Sequence, residues 1–307
     1  MARVAAEARE GAARSRSPVV ALALVVAACV VTMQLTHPPA VAVARGRNGR
    51  IAYASGGDIV TVRPDGMHRR SIITGARDDF LPTWAPSGRR IAWSREGRGG
   101  YDVWVARADG SLARNLTGGI RAGSRYATWS PTGRRIAFMS FRSGDIEIWK
   151  MRSDGSTPRR LTFSIGEDCC PDWRPTGGRI VFESDRAGRF ELFTMRTDGS
   201  GLRRLTRNDI YDGTPAYSPG GRWIAYRRLG DIWVMRANGS RPRRLTNAPG
   251  IDRTPTWSPN GKMIAFVSHR SGSDQVWVMR RDGSHERRIT SEPAGAYDPD
   301  WQPIPAS

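Results

Sequence analysis

Asp79, Asp168, Asp212 and Asp252 each stand five residues before the aromatic of an aromatic-x-Pro triplet. Arg142, Arg186 and Arg270 recur as regularly, inside Ser-x-Arg-x-Gly segments. Carboxylates and guanidinium groups repeated in this way, if gathered at one rim, form a mixed-charge ring able to hold a charged ligand or a protein partner. A structural reading competes: each Asp accepts backbone N–H groups of its own loop, or pairs with an arginine of an adjacent repeat. Residues that recur tend to build a repeat, whereas residues that interrupt it tend to carry specificity. The interruptions at these positions are Ser124, Arg125, Tyr126, Glu167, Cys169, Cys170, Tyr211 and Tyr297. The candidate binding set is therefore the four aspartates, Asp298 near the end, the three arginines, Tyr211 and Tyr297.

Other chemistries find little support. The three cysteines and four histidines leave no set with metal-cage or disulfide-framework spacing, so no metal and no cofactor are expected. His68 and His285 fall in turns of one kind and His269 in a loop of another, too far apart for one general-base site. No G-x-S-x-G elbow occurs, and the carboxylates belong to the repeat, so no glycosidase pair can be singled out. Cys169 and Cys170 are adjacent. Their α-carbons lie about 3.8 Å apart across a trans peptide, below the disulfide minimum of roughly 4.4 Å. They read as small buried residues, with a redox or covalent role as the competing reading.

The elements that position these groups come from a repeat. The aromatic-x-Pro triplets begin at Trp84, Trp129, Trp173, Tyr217, Trp257 and Trp301, at spacings of 45, 44, 44, 40 and 44 residues. Each of the first five is followed by a turn and an apolar run such as Arg89-Arg90-Ile91-Ala92-Trp93, then an alternating run such as Asp231-Ile232-Trp233-Val234-Met235. An Asp-Gly or Asn-Gly turn comes next in all six copies, and a short Arg-Arg-Leu-Thr-like run ends most of them. Alternation with glycine turns predicts antiparallel hairpins, and four strands every 40–45 residues predict one propeller blade. We name the strands A to D outward from the axis. The chain enters at the A–B turn, Asn48-Gly49, and ends on a lone A strand at Tyr297–Trp301. That strand should complete the first blade and close a six-bladed, all-β ring. Among the tryptophans, which otherwise recur as inter-blade packing, Trp93 and Trp223 depart from the pattern and are expected to be exposed.

Antiparallel order places A–B and C–D turns on one face, and B–C and D–A loops on the other. The first face collects paired arginines (Arg89-Arg90, Arg134-Arg135, Arg159-Arg160, Arg203-Arg204, Arg243-Arg244 and Arg287-Arg288 among them). With 48 basic residues against 29 acidic, a net charge of +19, this rim could attract anionic polymers or lipid headgroups; it also reads as a solvated edge in an arginine-biased chain. Without a recognition helix or interleaved aromatics, no sequence-specific nucleic-acid binding is expected.

Before the repeats lies an export signal. Arg3, Arg9, Arg14 and Arg16 flank an apolar run from Val19 to Leu35, ended by His37-Pro38-Pro39. The run is 17 residues, near the lower limit of roughly 17–25 for spanning a bilayer. Three fates compete: an uncleaved anchor, cleavage after Ala42-Val43-Ala44, or lipidation at Cys29 in the lipobox-like Val26-Ala27-Ala28-Cys29. The layout is a basic flank (1–18), a transmembrane or signal segment (19–36), a linker (37–47), the propeller (48–303) and a tail (304–307).

Trp-Ser-Pro-x-Gly-x-x-Ile-Ala-Phe, Ser-x-Arg-x-Gly and the Asp-Gly…Leu-Thr ending together resemble the PD40 repeats of the TolB-type propeller family, a relative of WD40, over residues 48–303. The family's Asp after Trp-Ser-Pro is replaced here by Ser87, Thr132, Thr176, Gly220 and Asn260, which suit the same turn. The family's α/β domain ahead of the propeller is not expected in this chain. The resemblance implies an exported propeller, often a protein-interaction platform. With the missing catalytic motifs, the expectation is a membrane-tethered, monomeric propeller that binds an envelope protein or anionic envelope polymer on its D–A/B–C face, without catalysis. A carbohydrate-active enzyme with its site at the channel mouth, or a small-ligand sensor, is the alternative.

Overall fold

A computed structural model describes residues 47–118 and 122–305. The basic flank, the apolar segment, Cys29, the Ala42-Val43-Ala44 site and residues 306–307 lie outside the described residues. Among those described, no helix is long and apolar enough to cross a membrane.

Six four-stranded antiparallel sheets form the six blades, five of them from consecutive strands. Blade 2, for example, runs Asp79–Trp84, Arg90–Gly97, Gly100–Arg107 and Arg114–Asn115 from the axis outward. Blade 1 is the expected exception. Its inner strand is the last of the chain, Tyr297–Ile304, paired to the first, Arg47–Ser55, with Trp301 opposite Ile51. Without this strand the B strand of blade 1 would lack its inner partner, which is why the ring needs both ends of the repeat region.

The core lies between blades. One cluster joins Ala137 and Ile148 of blade 3 to Trp173, Ile180 and Phe182 of blade 4, and another joins Val181 and Leu192 of blade 4 to Tyr217, Ile224 and Tyr226 of blade 5. Each sheet buries both faces, so strand B reads as a continuous apolar run rather than an alternation. The triplet aromatics seal these seams: Trp129 Nε1 donates to Thr83 O of the preceding blade at 3.2 Å, and Trp257 Nε1 to Ala216 O at 3.1 Å. Trp223 is 37% exposed, as expected, but Trp93 is fully buried. It occupies the strand-B aromatic position held by Phe138, Phe182, Tyr226 and Phe266, and its indole N–H is satisfied by Asp79 Oδ1 at 2.8 Å.

The Asp-Gly turns have a reason beyond the hairpin. Gly110 has φ +88°, and a β-carbon there would stand 1.8 Å from Ile72 O of the preceding blade. Gly199 repeats the approach against Leu161 O at 2.5 Å. Glycine is thus required both for the left-handed backbone and for blades to meet. The Asp of each turn caps it, as Asp109 Oδ1 does by accepting from Ser111 N and Oγ.

Opposite the aromatic-x-Pro end, strand D is pinned by its threonine. Thr162 Oγ1 accepts from Ile148 N at 2.9 Å and donates to the buried Glu147; Thr206, Thr246 and Thr290 accept likewise from Leu192, Ile232 and Val276 N. A two-residue strand gains its place this way, and the Leu-Thr signature follows.

Candidate binding site at the channel mouth

The two faces have the expected composition. A–B turns bond to C–D turns, as Ser153 N does to Arg134 O at 3.0 Å, and B–C loops bond to D–A loops, as Phe141 N does to Gly123 O at 3.0 Å. The latter face carries the predicted ring.

Asp79, Asp168, Asp212 and Asp252 begin the A strands of four blades and are all buried. Each is held by an arginine of its own blade rather than of a neighbour. Arg95 grips Asp79 through Nε–Oδ1 and Nη2–Oδ2 bonds of 2.7 Å each. Arg186 reaches Asp168 at 2.5 Å and Arg270 reaches Asp252 at 2.6 Å, each also donating its Nε to a serine, Ser184 or Ser268. These guanidinium groups lie on aromatic rings of strands B and C, Arg186 at 5.2 Å from Phe193 and Arg270 at 4.9 Å from Trp277. Ion pair and stacking together fasten the B–C loop onto the blade.

Blade 3 keeps this frame without the carboxylate. Arg142 lies 4.8 Å over Trp149 and donates to Ser140 Oγ at 3.2 Å, but Ser124 replaces the aspartate. Desolvation lowers the Arg142 pKa from its usual value. It is the one cation of the three predicted arginines with no salt bridge among the described residues.

Inside the mouth the blades present one backbone and five kinds of side chain. The residue three before each triplet aromatic is left-handed: Leu81, Tyr126, Cys170, Thr214, Thr254 and Asp298 have φ between 47° and 55°. A bulge at this point shifts the A–B register in each blade. For β-branched Thr214 and Thr254 the conformation is a true outlier, and strain of this kind concentrates where a site is held in place. These six residues border a cavity of about 150 Å³ on the axis. Asp298, from the predicted set, is here; its carboxyl is pushed up to about 6 by desolvation, against the pull of Arg253.

One layer deeper, Asp172 and Asp300 come from blades 4 and 1, on opposite sides of the ring. Their settings match. Asp172 Oδ2 accepts from Tyr217 N at 2.6 Å and Asp300 Oδ2 from Trp84 N at 2.7 Å, in each case the following blade. Thr128 and Thr256 of the preceding blades donate to their other oxygens. Desolvation pushes Asp172 up to about 7, with Asp300 adding to it, and pushes Asp300 up to about 6.

Tyr211 lies at the rim, edge-on to Phe190 at 5.8 Å with Arg227 over its ring at 5.1 Å. Its hydroxyl is 3.4 Å from Glu183 Oε2. Tyr297 is half-buried against the cluster containing Trp84 and Trp93. Cys169 and Cys170 are free thiols with sulfurs 3.0 Å apart, and Cys169 Sγ donates to Glu183 Oε1 at 2.9 Å. The hydrogen bond to Cys170, then burial, raises the Cys169 thiol well above its usual range, and burial raises Cys170 to about 11.

Sequence reasoning passed over Glu183, Asp172 and Asp300. Glu183 had a signal: its equivalents in the other blades are Ala54, Ser94, Met139, Arg227 and Val267, so it is the one acid at that place. Asp172 and Asp300 stand directly before the triplet aromatic, where the other blades carry Thr83, Thr128, Ala216 and Thr256.

On the opposite face, the arginine pairs divide. Arg159, Arg203, Arg243 and Arg287 are exposed, whereas Arg160, Arg204 and Arg244 turn back over the blade to Glu147, Glu191 and Asp231. Three arginines of the expected rim are thus spent on holding strand D.

Comparison with known proteins agrees with this geometry. TolB from Acinetobacter baumannii superposes with a TM-score of 0.73 at 22% identity, covering 83% of this chain and 67% of that one. A putative TolB from Agrobacterium tumefaciens gives 0.55 at 20% identity, over 84% and 87%. A chain of a nidogen/laminin complex gives 0.70 at 14% identity, over 84% and 99%, so the architecture is shared well beyond TolB. A search of curated proteins finds no match to the chain. The family model for the PD40 TolB β-propeller domain matches residues 47–231 and 227–305. With six closed blades built on that repeat, the chain belongs to the PD40 TolB β-propeller family.

Proposed function

We propose that this chain is an exported, non-catalytic propeller that binds a protein or another envelope component at the channel mouth of its D–A/B–C face. The observation that carries the reading is the ring of six equivalent, strained backbone positions bearing Leu81, Tyr126, Cys170, Thr214, Thr254 and Asp298. A frame that the repeat makes symmetric is there given an asymmetric chemistry, which is what recognition of one partner requires. The buried aspartates act as fasteners of that frame rather than as contacts. The 17-residue apolar run after a basic flank supports export, with an uncleaved anchor favoured over cleavage after Ala44 or lipidation at Cys29. The scatter of the described histidines supports a binding rather than a catalytic role: His269 meets Asp274 at 3.3 Å, while His68 and His285 are exposed on C–D turns of the other face. A propeller of similar architecture occurs in a nidogen/laminin complex, which is consistent with a protein partner.

The test is capture from envelope extract by the chain, at low and high salt, beside Tyr126→Ala and Asp298→Asn variants. A discrete partner retained in high salt and lost in the variants supports the reading. Heterogeneous anionic material released by salt moves the site to the arginine face. Turnover on envelope polysaccharides with no captured partner would replace it with the enzymatic alternative.

A further inference from the structure

Cys169, Cys170 and Glu183 bring one ligand atom each to within 4.8 Å of one another at the channel mouth. Cys169 faces Glu183 directly across the A–B ladder of blade 4, and the left-handed Cys170, φ 53°, turns its sulfur to the same carboxylate at 3.4 Å. Glu183 is 4% exposed and forms no salt bridge among the described residues; its partners are the two thiols, the Tyr211 hydroxyl and Thr214 N at 2.6 Å. A buried carboxylate without a cation is unusual, because burial strongly disfavours unpaired charge.

The neighbouring blade leaves room for this group. Gly213 stands where other blades carry Phe80, Arg125, Cys169, Arg253 and Tyr297. A β-carbon at Gly213 would meet Glu183 Oε2 at 2.3 Å and the Tyr211 hydroxyl at 2.4 Å. Four departures from the repeat (Cys169, Cys170, Glu183 and Gly213) thus converge on one point.

We propose that Cys169, Cys170 and Glu183 form a site for a thiophilic divalent cation of the zinc class, with the Tyr211 hydroxyl or a water completing it. Two thiolates and a carboxylate are a donor set suited to such a cation and ill suited to calcium or magnesium, which take oxygen. Two sulfurs on one tetrahedral zinc sit about 3.8 Å apart at Zn–S bonds of about 2.3 Å. The observed 3.0 Å opens to that by small side-chain rotations, whereas a disulfide would have to draw the pair together across a single peptide. Entry is from the channel, which Cys170 borders. The site does not depend on the partner proposed above.

The test uses the full chain, reduced and anaerobic, titrated with Co²⁺ and then Zn²⁺. One equivalent of Co²⁺ should give a thiolate charge-transfer absorption that Zn²⁺ abolishes. Cys169→Ser and Cys170→Ser should each remove the band, Glu183→Gln should weaken binding at least tenfold, and Cys29→Ser should change nothing. Zn²⁺ should raise the thermal midpoint of the parent and not of the Cys169→Ser variant, which separates binding from misfolding. The proposal is overturned if the folded parent shows no charge-transfer band, or if the band survives in both blade-4 serine variants. It is equally overturned if alkylation at lysis finds the two sulfurs already joined, which would make the pair redox-active instead.

Discussion

Arg228 and Asp212 are joined by two parallel hydrogen bonds, Nε to Oδ1 at 2.6 Å and Nη2 to Oδ2 at 2.7 Å. Asp212 is fully buried and the guanidinium lies 5.1 Å over Trp233, so the pair locks the tight B–C turn of blade 5 to its innermost strand. Blade 2 builds the same bidentate clamp from Arg95 and Asp79. The ring of aspartates that could have met a ligand is turned inward to hold the wall around one.

Removing one partner should therefore cost more than a surface ion pair would. Arg228→Ala leaves a desolvated carboxylate and is expected to destabilise the propeller by about 3 kcal/mol. Arg228→Lys should recover only part of this, since an ammonium cannot make the bidentate contact. Asp212→Ala combined with Arg228→Met should fall well short of the sum of the single losses. Urea unfolding of the parent, these variants and the single Asp212→Ala and Arg228→Met chains measures all three. Losses under 1 kcal/mol would mean that water reaches the pair and that it resembles an exposed bridge.

Blade 3 offers the converse experiment. Ser124, Ser140 and Arg142 stand where Asp168, Ser184 and Arg186 stand in blade 4, with the carboxylate missing. The cost of desolvating Arg142 is already met in the native fold. Ser124→Asp should supply its partner and raise stability by about 1 kcal/mol. The same substitution beside Arg142→Met should be destabilising. A loss of stability in the single variant would show that the Ser124–Ser140 contact, 2.9 Å, leaves no room for a carboxylate.

The blade count, ring closure and face assignment were legible in the sequence because each rests on a period: the triplet, the turn and the Leu-Thr ending recur where geometry forces them. What the period hides was harder. Asp168 and Arg186 are 18 residues apart in one blade, and only the ladder, which sets Asp168 opposite Ser184, shows that the arginine folds back onto it. Trp93 looked out of place because its copies are Phe or Tyr, yet it fills the same slot with an added hydrogen bond to Asp79. Glu183 stood out as the one acid at its place in the repeat, but Gly213 became meaningful only once adjacent blades were seen to touch.

The glycines divide by the same criterion. Gly110→Ala must place a β-carbon against Ile72 O and hold alanine at φ +88°, so a loss of about 2 kcal/mol or more is expected. Gly220 has open space around it and no positive φ, so Gly220→Ala should be neutral or stabilise by a few tenths of a kcal/mol. Thermal midpoints of the two variants check this. Equal effects would remove the inter-blade contact as the reason for the Asp-Gly turns.

The channel carboxylates make stability depend on pH in a stated direction. Burial raises Asp298 and Asp300 from 3.8 to about 6. Asp300 faces Asp172 across the channel and is contacted by Trp84 N and Thr256, while Asp298 feels Arg253 and Asp274. A raised folded pKa means that the native state holds protons the unfolded chain has released. Between about pH 4 and 6, therefore, stability falls as pH rises, and the loss levels off above the folded values. At about 1.4 kcal/mol per pKa unit, reduced because both residues border the channel and are partly exposed, the two together amount to about 1–3 kcal/mol. Asp300→Asn keeps both hydrogen bonds, accepting from Trp84 N and donating to Thr256. It should therefore raise the midpoint at pH 7.5 while leaving that at pH 4 almost unchanged. Comparing parent and variant cancels opposing groups such as Glu292, which hydrogen bonds from Arg69 and Tyr53 hold below its usual value despite burial. If the difference between the two chains does not grow from pH 4 to 7.5, Asp300 is ionised at little cost and the channel is wetter than its lining implies.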